Sequence, residues 1–384
     1  MTLYETISTE FDALGLVRVP QALERFSASL GCHLFNISNL VNKRFYFGGG
    51  LENFRTSIVF MAPSGYSKSQ HFNFFLNPKT GILAKTGVIS AVRGTFSSES
   101  WMGTISNGQE SKGLLSTYKQ GIIGADEFMR LGSMMCGSGV NHDEVYLMKA
   151  LDCDTVTKDL AYGTIEENDI GITLWSGMRI ANLNLTSGLA RRFSFQIFFP
   201  TMTDSINFRK AARSGKMSMR IKPETHIKMK DEVQSTFDYI NTINTVDYSN
   251  VEKWIDDSQI AIPHFEEVLY KRLALGWAVV NKSLPVIEID PLLDSLLKDE
   301  LRVRDIIRTN PHHELVRHVI EAEGEVPAIK LMKFLEKNYQ LHKVEVQALI
   351  NELKRNEIIQ AQGDNYTLPG TLETGGNNVQ EEKT

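Results

Sequence analysis

The chain has 384 residues, of which 42% are hydrophobic and 23% are charged, and its formal net charge is −5 at pH 7. This length allows two or three domains with a sizeable core. The negative net charge excludes a surface that attracts nucleic acid everywhere, so any DNA-binding charge must be concentrated in a patch or channel. The cysteines Cys32, Cys136 and Cys153 have the spacing of neither a zinc site nor a disulfide framework, and we expect buried free thiols.

No segment of the sequence has the length and apolar composition of a membrane span. The most apolar one, residues 273–280, is far too short, and residues 2–14 are too acidic and polar for a signal peptide. The sequence therefore predicts a soluble, cytoplasmic protein that has no membrane partner.

The predicted elements begin with a helical segment that leads into an α/β core. Residues 1–50 are expected to be helical and to end in a hinge at Gly48, Gly49 and Gly50. From residue 51 to residue 222, apolar runs alternate with helical segments, which is typical of a mostly parallel sheet with helices on both faces. The strands of this core are predicted at residues 57–61, 87–92, 121–125, 170–175 and 193–199.

The C-terminal part of the chain is predicted to be mainly helical. Residues 223–310 have helical spacing and few glycines and are expected to form a lid or connector, with a boundary at Asn310 and Pro311. Residues 311–369 predict three helices and then two short strands around a turn at Gly363 and Asp364, which together form a winged helix-turn-helix. Residues 370–384 are expected to be disordered.

A loop of small residues follows the first predicted strand and ends in Lys68 and Ser69. Such a loop is typical of triphosphate binding: backbone N–H groups surround the phosphates, the lysine reaches the β- and γ-oxygens, and the hydroxyl binds Mg²⁺. The sequence departs from the G-x-x-x-x-G-K-[ST] pattern at both glycines, where Ala62 and Ser67 stand. The predicted ATP-binding residues are Ala62, Pro63, Ser64, Gly65, Tyr66, Ser67, Lys68 and Ser69.

Two adjacent carboxylates, Asp126 and Glu127, follow the predicted strand at residues 121–125. Carboxylates at the end of a buried strand are costly unless they serve a metal or a substrate. We expect Asp126 to bind Mg²⁺ together with Ser69, and Glu127 to orient the attacking water. The loop and this acidic pair, in this order and each after a strand, predict an NTPase that uses ATP and Mg²⁺.

The order of these motifs resembles the ATPase core of the MCM (minichromosome maintenance) replicative helicases, a family of AAA+ ATPases. The phosphate loop of that family also has a small residue before Lys-Ser, as Ser67 here, and its acidic motif reads Asp-Glu-Phe, as do Asp126, Glu127 and Phe128. The resemblance implies an AAA+ P-loop core that assembles into a homo-oligomeric ring, expected to be a hexamer. It further implies a DNA helicase that acts in replication on single-stranded or forked DNA.

The resemblance also implies roles for residues outside the ATP loop. Residues 145–152 and 155–160 stand where the family has a helix and a pore hairpin, which implies that Lys158, near the hairpin tip, contacts DNA. Residues 107–113 stand at a second DNA-facing loop. Ser176 takes the place of the family's sensor asparagine, and Arg272 is a candidate for its second sensor. Residues 188–193 resemble the arginine-finger segment, which implies that Arg192 reaches the ATP of a neighbouring subunit.

The family's N-terminal domain, which binds oligonucleotides and zinc, has no counterpart in this sequence. This favours a replication ATPase of a mobile element, plasmid or virus, by analogy alone. Two alternatives stay open: an AAA+ origin-binding initiator that uses ATP as a switch, and a regulatory NTPase whose winged helix docks proteins. Acidic and basic residues are about equally frequent in the winged helix, so a replication protein is at least as good a partner for it as DNA.

Overall fold

The structure is a computed structural model that describes residues 1–42, 45, 53–93, 98–106, 109–128, 131, 134–135, 142–152, 154–160, 163–168, 170–186, 188–213, 220–258, 262–339 and 341–369. The predicted glycine hinge at residues 48–50, two of the three cysteines (Cys136 and Cys153) and the predicted disordered tail lie outside the described residues. The chain divides into two units. The first contains Met1–Phe198 and Lys210–Thr309, and the second contains Phe199–Arg209 and the chain from Asn310 onward.

A parallel five-stranded sheet forms the centre of the first unit. The strands described in this unit are β1 (Ser57–Met61), β2 (Ser90–Arg93), β3 (Gly103–Ser106), β4 (Gln109–Lys112), β5 (Ile122–Ala125), β6 (Val156–Leu160), β7 (Gly163–Glu167), β8 (Thr173–Met178) and β9 (Phe193–Ile197). The central sheet has the order β2-β5-β8-β1-β9, and all its neighbouring strands are parallel. All residues of β1, β5, β8 and β9 are buried, as in sheets covered on both faces. The predicted α/β core with a parallel sheet is therefore confirmed.

The predicted strand at residues 170–175 is wrong by three positions, because β8 begins at Thr173 and continues to Met178. Gly171 approaches the chain before β5 so closely that an added Cβ would lie 2.3 Å from Gln120 Oε1. The Gly171 N–H also donates to Lys119 O rather than to a strand of the sheet. Because β8 ends three residues later than predicted, the residue that follows the strand is Arg179.

Helices cover this sheet and include the N-terminal segment of the chain. The helices described up to Thr309 are α1 (Leu3–Ala13), α2 (Ala22–Asn42), α3 (Lys68–Leu76), α4 (Ser98–Met102), α5 (Leu114–Thr117), α6 (His142–Leu151), α7 (Met202–Arg213), α8 (Pro223–Thr242), α9 (Ser249–Asp256), α10 (His264–Asn281) and α11 (Pro291–Thr309). Of these, α7 belongs to the second unit as far as Arg209. Helices α2 and α10 cross at glycines, because a Cβ on Gly31 would lie 2.0 Å from Gly276 O. The Trp175 indole of β8 donates to Ser29 Oγ of α2 at 2.8 Å. The N-terminal helix α2 is thus packed into the core.

Two antiparallel hairpins, β3–β4 and β6–β7, accompany the central sheet. The predicted hairpin at residues 155–160 covers only the first strand of the second hairpin, because the chain turns after Leu160 and returns from Gly163. Lys158 therefore lies within β6, opposite Ile165. The half-buried Lys158 ammonium donates to Gly103 O of β3 at 3.4 Å. The turn at residues 161–162 lies outside the described residues.

Besides the first part of α7, the described part of the second unit contains three helices and a small sheet. These are α12 (Pro311–Glu323), α13 (Ala328–Tyr339) and α14 (Lys343–Arg355), with β10 (Val326–Pro327), β11 (Gln360–Gln362) and β12 (Asn365–Thr367). The sheet is antiparallel, in the order β10-β12-β11. The turn between β11 and β12 contains Gly363, whose φ of +56° favours glycine. The predicted helices and the two strands around the Gly363 turn are confirmed.

Within the described parts of both units, no helix combines the length and the apolar character that a bilayer crossing requires.

Candidate nucleotide-binding site

The loop at residues 62–67 leaves the carboxyl end of β1, an inner strand of the parallel sheet. Its neighbours β8 and β9 both come later in the chain, while the chain itself continues to the edge strand β2. Ligands of open α/β sheets bind at such a point, beyond the carboxyl ends of the strands. The loop runs directly into α3, which begins at Lys68. The first N–H groups of this helix therefore face the loop, as in anion-binding sites.

The two departures from the glycine pattern fit the backbone of the loop. Ala62 is buried, does not adopt a positive φ, and its N–H donates to Met178 O at 3.2 Å. Gly65 has a φ of +85°, which requires glycine or costs strain. Ser67 stands at the second glycine position with a left-handed φ of +57°. At this position the loop has the left-handed backbone that glycine adopts without strain, although the residue present is a serine.

His71 is a loop contact that sequence reasoning missed. Its backbone N–H and its Nδ1 lie 3.0 and 2.9 Å from Ser67 O. Burial among Phe11, Phe26 and Phe60 lowers the pKa of His71 to about 4, so the ring is neutral at physiological pH. A neutral ring that donates from Nδ1 holds the Ser67 carbonyl in place. The sequence signal is a histidine one helical turn after the last loop residue.

Lys68 lies folded over its own loop. Its ammonium donates to Ala62 O at 2.6 Å and to Pro63 O at 2.9 Å, and the residue is only 5% exposed. The pKa of Lys68 is lowered from 10.5 to about 8, chiefly by burial; Asp126 and Glu127 oppose this shift, and Arg179 adds to it. These contacts place the predicted lysine, both carboxylates and an arginine in one electrostatic environment.

Ser69 and Asp126 meet at the start of α3. The Ser69 hydroxyl lies 2.8 Å from Asp126 Oδ1 and 2.7 Å from Oδ2, although the residues are 57 positions apart in the chain. A hydroxyl and one carboxylate beside a phosphate loop suit Mg²⁺, which takes few protein ligands and completes its shell with phosphates and water. The described residues contain no cluster of three or more His, Cys, Asp or Glu that could bind a metal unaided. Glu127, the next residue, is exposed.

Strand β8 lies between β1 and β5 and fixes the position of the acidic pair. The Phe128 N–H donates to Gly177 O at 2.9 Å. An added Cβ on Gly177 would lie 2.3 Å from Asp126 O, so only glycine allows this approach. The sequence Gly177-Met178 therefore brings the end of β8 against both the phosphate loop and Asp126.

The predicted sensor residue, Ser176, is fully buried within β8, and its hydroxyl has no hydrogen-bond partner among the described residues. Arg179 follows the strand immediately and is exposed. Because Met178 O accepts the Ala62 N–H, the Arg179 backbone begins at the phosphate loop. Arg179 is thus the exposed polar residue at the end of β8 and influences the charge of Lys68, whereas Ser176 is buried inside the strand. Sequence reasoning missed it because it ended the strand too early.

Arg192 lies at the amino ends of the parallel strands, whereas the loop at residues 62–67 lies at their carboxyl ends. It directly precedes β9, and Phe193 pairs with Ser57, the first residue of β1. The loop follows the last residue of β1, about 16 Å away at about 3.3 Å per strand residue. The Arg192 guanidinium binds Asp152 at the end of α6 through Nε and Nη2, and the Nε–Oδ1 distance is 2.7 Å. Arg192 is therefore separated from its own loop by the length of the strand.

Arg272 is not placed beside the loop either. Its carbonyl accepts the Cys32 thiol at 2.8 Å, and that thiol also contacts Thr56, which precedes β1. These contacts lie at the amino end of β1. The position of its backbone therefore does not support the prediction that Arg272 serves as a second sensor.

No protein-family model matches this chain, and no curated protein is significantly similar to it. The function of this chain is therefore inferred from the residues that the fold brings together. Of the predicted site residues, the structure joins Lys68, Ser69, Asp126 and Glu127 at the carboxyl ends of β1 and β5. It leaves Ser176 buried, and it places Arg192 at the amino ends of the strands.

Proposed function

We propose that this chain is an AAA+ ATPase, similar to the MCM helicases, that hydrolyses ATP and moves along or unwinds DNA as a homo-oligomeric ring. The observation that carries the proposal is the contact of Ser69 with Asp126 beside the Lys68 loop. A phosphate loop, a hydroxyl and a carboxylate at one end of a parallel sheet are the set of groups that nucleoside triphosphate hydrolysis requires.

Each residue of this set has a separate task. The loop N–H groups and the start of α3 bind phosphate oxygens, and Lys68 leaves Ala62 O and Pro63 O to neutralise the β- and γ-phosphates. Ser69 and Asp126 would hold Mg²⁺, which supplies positive charge to the transferred phosphoryl group. Glu127 is exposed next to Asp126 and orients the attacking water. Arg179 faces the same space and supplies a further positive charge.

The strand order supports the AAA+ assignment by fold-level analogy. In this sheet β8 separates the strand of the phosphate loop from the strand of the acidic pair, which is the arrangement expected of an AAA+ core. The position of Arg192 supports a ring, because its side chain is too far from its own loop to contact a nucleotide there. It could contact a nucleotide only in the site of another subunit. An arginine supplied to the transition state in this way accelerates hydrolysis strongly.

The two hairpins support an action on DNA. Lys158 of β6 contacts Gly103 O of β3, and Gly103 is paired with Lys112 of β4, so one lysine from each hairpin lies in the same region. We assign DNA contact to Lys158, as the resemblance implies. Binding through lysine charge would be independent of base sequence.

The second unit is proposed to be a winged helix that docks a replication protein. Its three helices and small antiparallel sheet fit such a module. Acidic side chains outnumber basic ones between residues 311 and 369, which weakens attraction to phosphate. This charge balance disfavours an origin-binding initiator, which would read DNA through the same unit.

The division of tasks at the site is tested by two substitutions. Lys68→Ala should abolish binding of a fluorescent ATP analogue, because the phosphates lose their main counter-charge. Glu127→Gln should bind the analogue as the wild type does and lose hydrolysis, because the glutamate acts only on the water. Wild-type turnover by Glu127→Gln would contradict the assignment of the acidic pair.

A further inference from the structure

The guanidinium of Arg192 is held on two sides before any partner arrives. Asp152 takes the side formed by Nε and Nη2, and Gly188 O accepts from Nη1. The side chains of Arg192 and Asp152 are 24% and 35% exposed, so the pair is partly shielded from water. A planar guanidinium bound in this two-point way cannot rotate freely.

Asp152 is itself fixed by the end of α6. Its N–H donates to Met148 O at 2.9 Å, which closes the last turn of the helix. The preceding carbonyl, Leu151 O, accepts from Arg55 Nη2 at 2.9 Å and from Asn53 Nδ2 at 2.5 Å, and both of these residues are buried. The carboxylate that holds Arg192 therefore stands on a rigid support.

The contacts of Arg192 leave two N–H groups of its guanidinium available to bind another molecule. An arginine has five N–H donors, and three of them are used by Asp152 and Gly188 O. Of the remaining two, one is on Nη1 and one on Nη2, and neither has an acceptor among the described residues. These two N–H groups form the end of the guanidinium, which matches two oxygens of one phosphate.

We propose that Asp152 is a positioning residue for hydrolysis in the neighbouring subunit, which presents the free end of Arg192 to the γ-phosphate bound there. This inference rests on the proposed function, because it assumes a site shared between subunits. Asp152 itself touches no substrate. It orients Arg192, and it removes the need to order a long side chain during the reaction.

Single substitutions give the first test. Asp152→Ala should lower kcat for ATP on the order of 100-fold, the size expected when a catalytic group is misplaced by about 1 Å, and leave KM within about twofold. Asp152→Asn keeps the shape and loses the charge, and it should fall between Asp152→Ala and the wild type. The matched control is Asp154→Ala, since Asp154 is exposed two positions further on, and it should hydrolyse ATP at the wild-type rate.

A double variant tests whether Asp152 acts through Arg192. If it does, Asp152→Ala combined with Arg192→Ala should be no slower than Arg192→Ala alone, because the group that Asp152 orients is already absent. A further loss of tenfold or more in the double variant would show an independent role and would overturn the inference.

Mixed rings test the direction of the effect. Asp152→Ala mixed with Lys68→Ala should regain activity, because an intact loop of the first meets an intact arginine of the second. Asp152→Ala mixed with Arg192→Ala should regain none, because no interface has a correctly held arginine. Recovery in that second mixture would overturn the inference while leaving the shared site intact. The mixture of Lys68→Ala with Arg192→Ala tests the shared site itself, and its failure in confirmed mixed rings would overturn both.

Discussion

At the scale of single residues, the phosphate loop depends on backbone conformations that its sequence only partly favours. Gly65 and Ser67 both have positive φ, but only one of them is glycine. An L-residue in the left-handed region costs about 1–2 kcal/mol. The loop therefore carries a small conformational cost at Ser67, which should be measurable.

We expect Ser67→Gly to raise the free energy of unfolding of the first unit by about 1 kcal/mol, because the left-handed φ is then free of strain. The reverse change at the other position, Gly65→Ala, should lower it by about 1–2 kcal/mol, although no atom within 4 Å would obstruct the new Cβ. Urea unfolding of the two variants measures both effects. A loss of stability in Ser67→Gly would show that contacts of the Ser67 side chain stabilise the fold by more than its left-handed backbone costs.

The pKa of Lys68 makes a second prediction at this scale. Burial lowers it from 10.5 to about 8, so at a higher pH the folded protein releases a proton that the unfolded chain keeps. The cost of burying this charge is present below about pH 8 and disappears as the pH rises to about 10.5, so the free energy of unfolding should increase across that window. Bound phosphates favour the charged form of Lys68, so ATP binding should return the released proton to this side chain.

ATP binding at about pH 9 should therefore take up a proton, whereas binding at neutral pH should take up none at Lys68. Titration calorimetry in two buffers that differ in ionisation enthalpy measures the uptake. The variant Lys68→Arg, which stays charged, separates this proton from those of other groups. Equal apparent enthalpies in both buffers at the higher pH would contradict the assignment.

At the scale of elements, a buried ionic cluster joins α2 and α11 to the edge strand β9. Glu300 of α11 is fully buried and accepts from Arg304 Nε at 2.8 Å, from Ser194 Oγ at 2.6 Å and from Arg25 Nη1. Arg25 also binds Asp299 at 2.8 Å. The cluster lies next to β9, the strand that follows Arg192, so it anchors the element that carries the proposed trans-acting arginine.

Glu300→Ala should lower the free energy of unfolding of the first unit by about 3–5 kcal/mol, because it leaves two buried arginines without their shared carboxylate. Lys298→Ala, on the same helix, removes an exposed partner of Asp294 and should cost less than about 1 kcal/mol. Denaturant unfolding of both variants provides the comparison. A loss below 1 kcal/mol for Glu300→Ala would mean that the cluster does not anchor β9.

The β6–β7 hairpin is the element proposed to contact DNA. Lys158→Ala should weaken binding of single-stranded DNA about equally for all sequences and reduce the salt dependence by about one phosphate contact. Lys149→Ala, an exposed lysine on α6, serves as the matched control and should bind as the wild type does. Unchanged affinity and salt dependence in Lys158→Ala would remove the hairpin from the DNA surface.

At the scale of the whole molecule, the sequence predicts which segments are strands better than how they are arranged. The strand at Ser57–Met61 is short, apolar and followed by a loop signal, so its limits could be predicted. The end of β8 could not, because the run continues through Ser176 and Gly177, and that error concealed Arg179. The pair of Asp152 and Arg192 is separated by 40 positions and depends on how α6 meets β9, which no local pattern reveals.

The proposed coupling of ATP hydrolysis to movement along DNA is best tested by ATP turnover with and without single-stranded DNA, measured beside displacement of a strand from a forked duplex. We predict that DNA stimulates turnover and that the wild type separates the strands only with ATP and Mg²⁺. Glu127→Gln should show neither activity. Turnover that does not respond to DNA, together with no strand separation at any protein concentration, would contradict the proposed function.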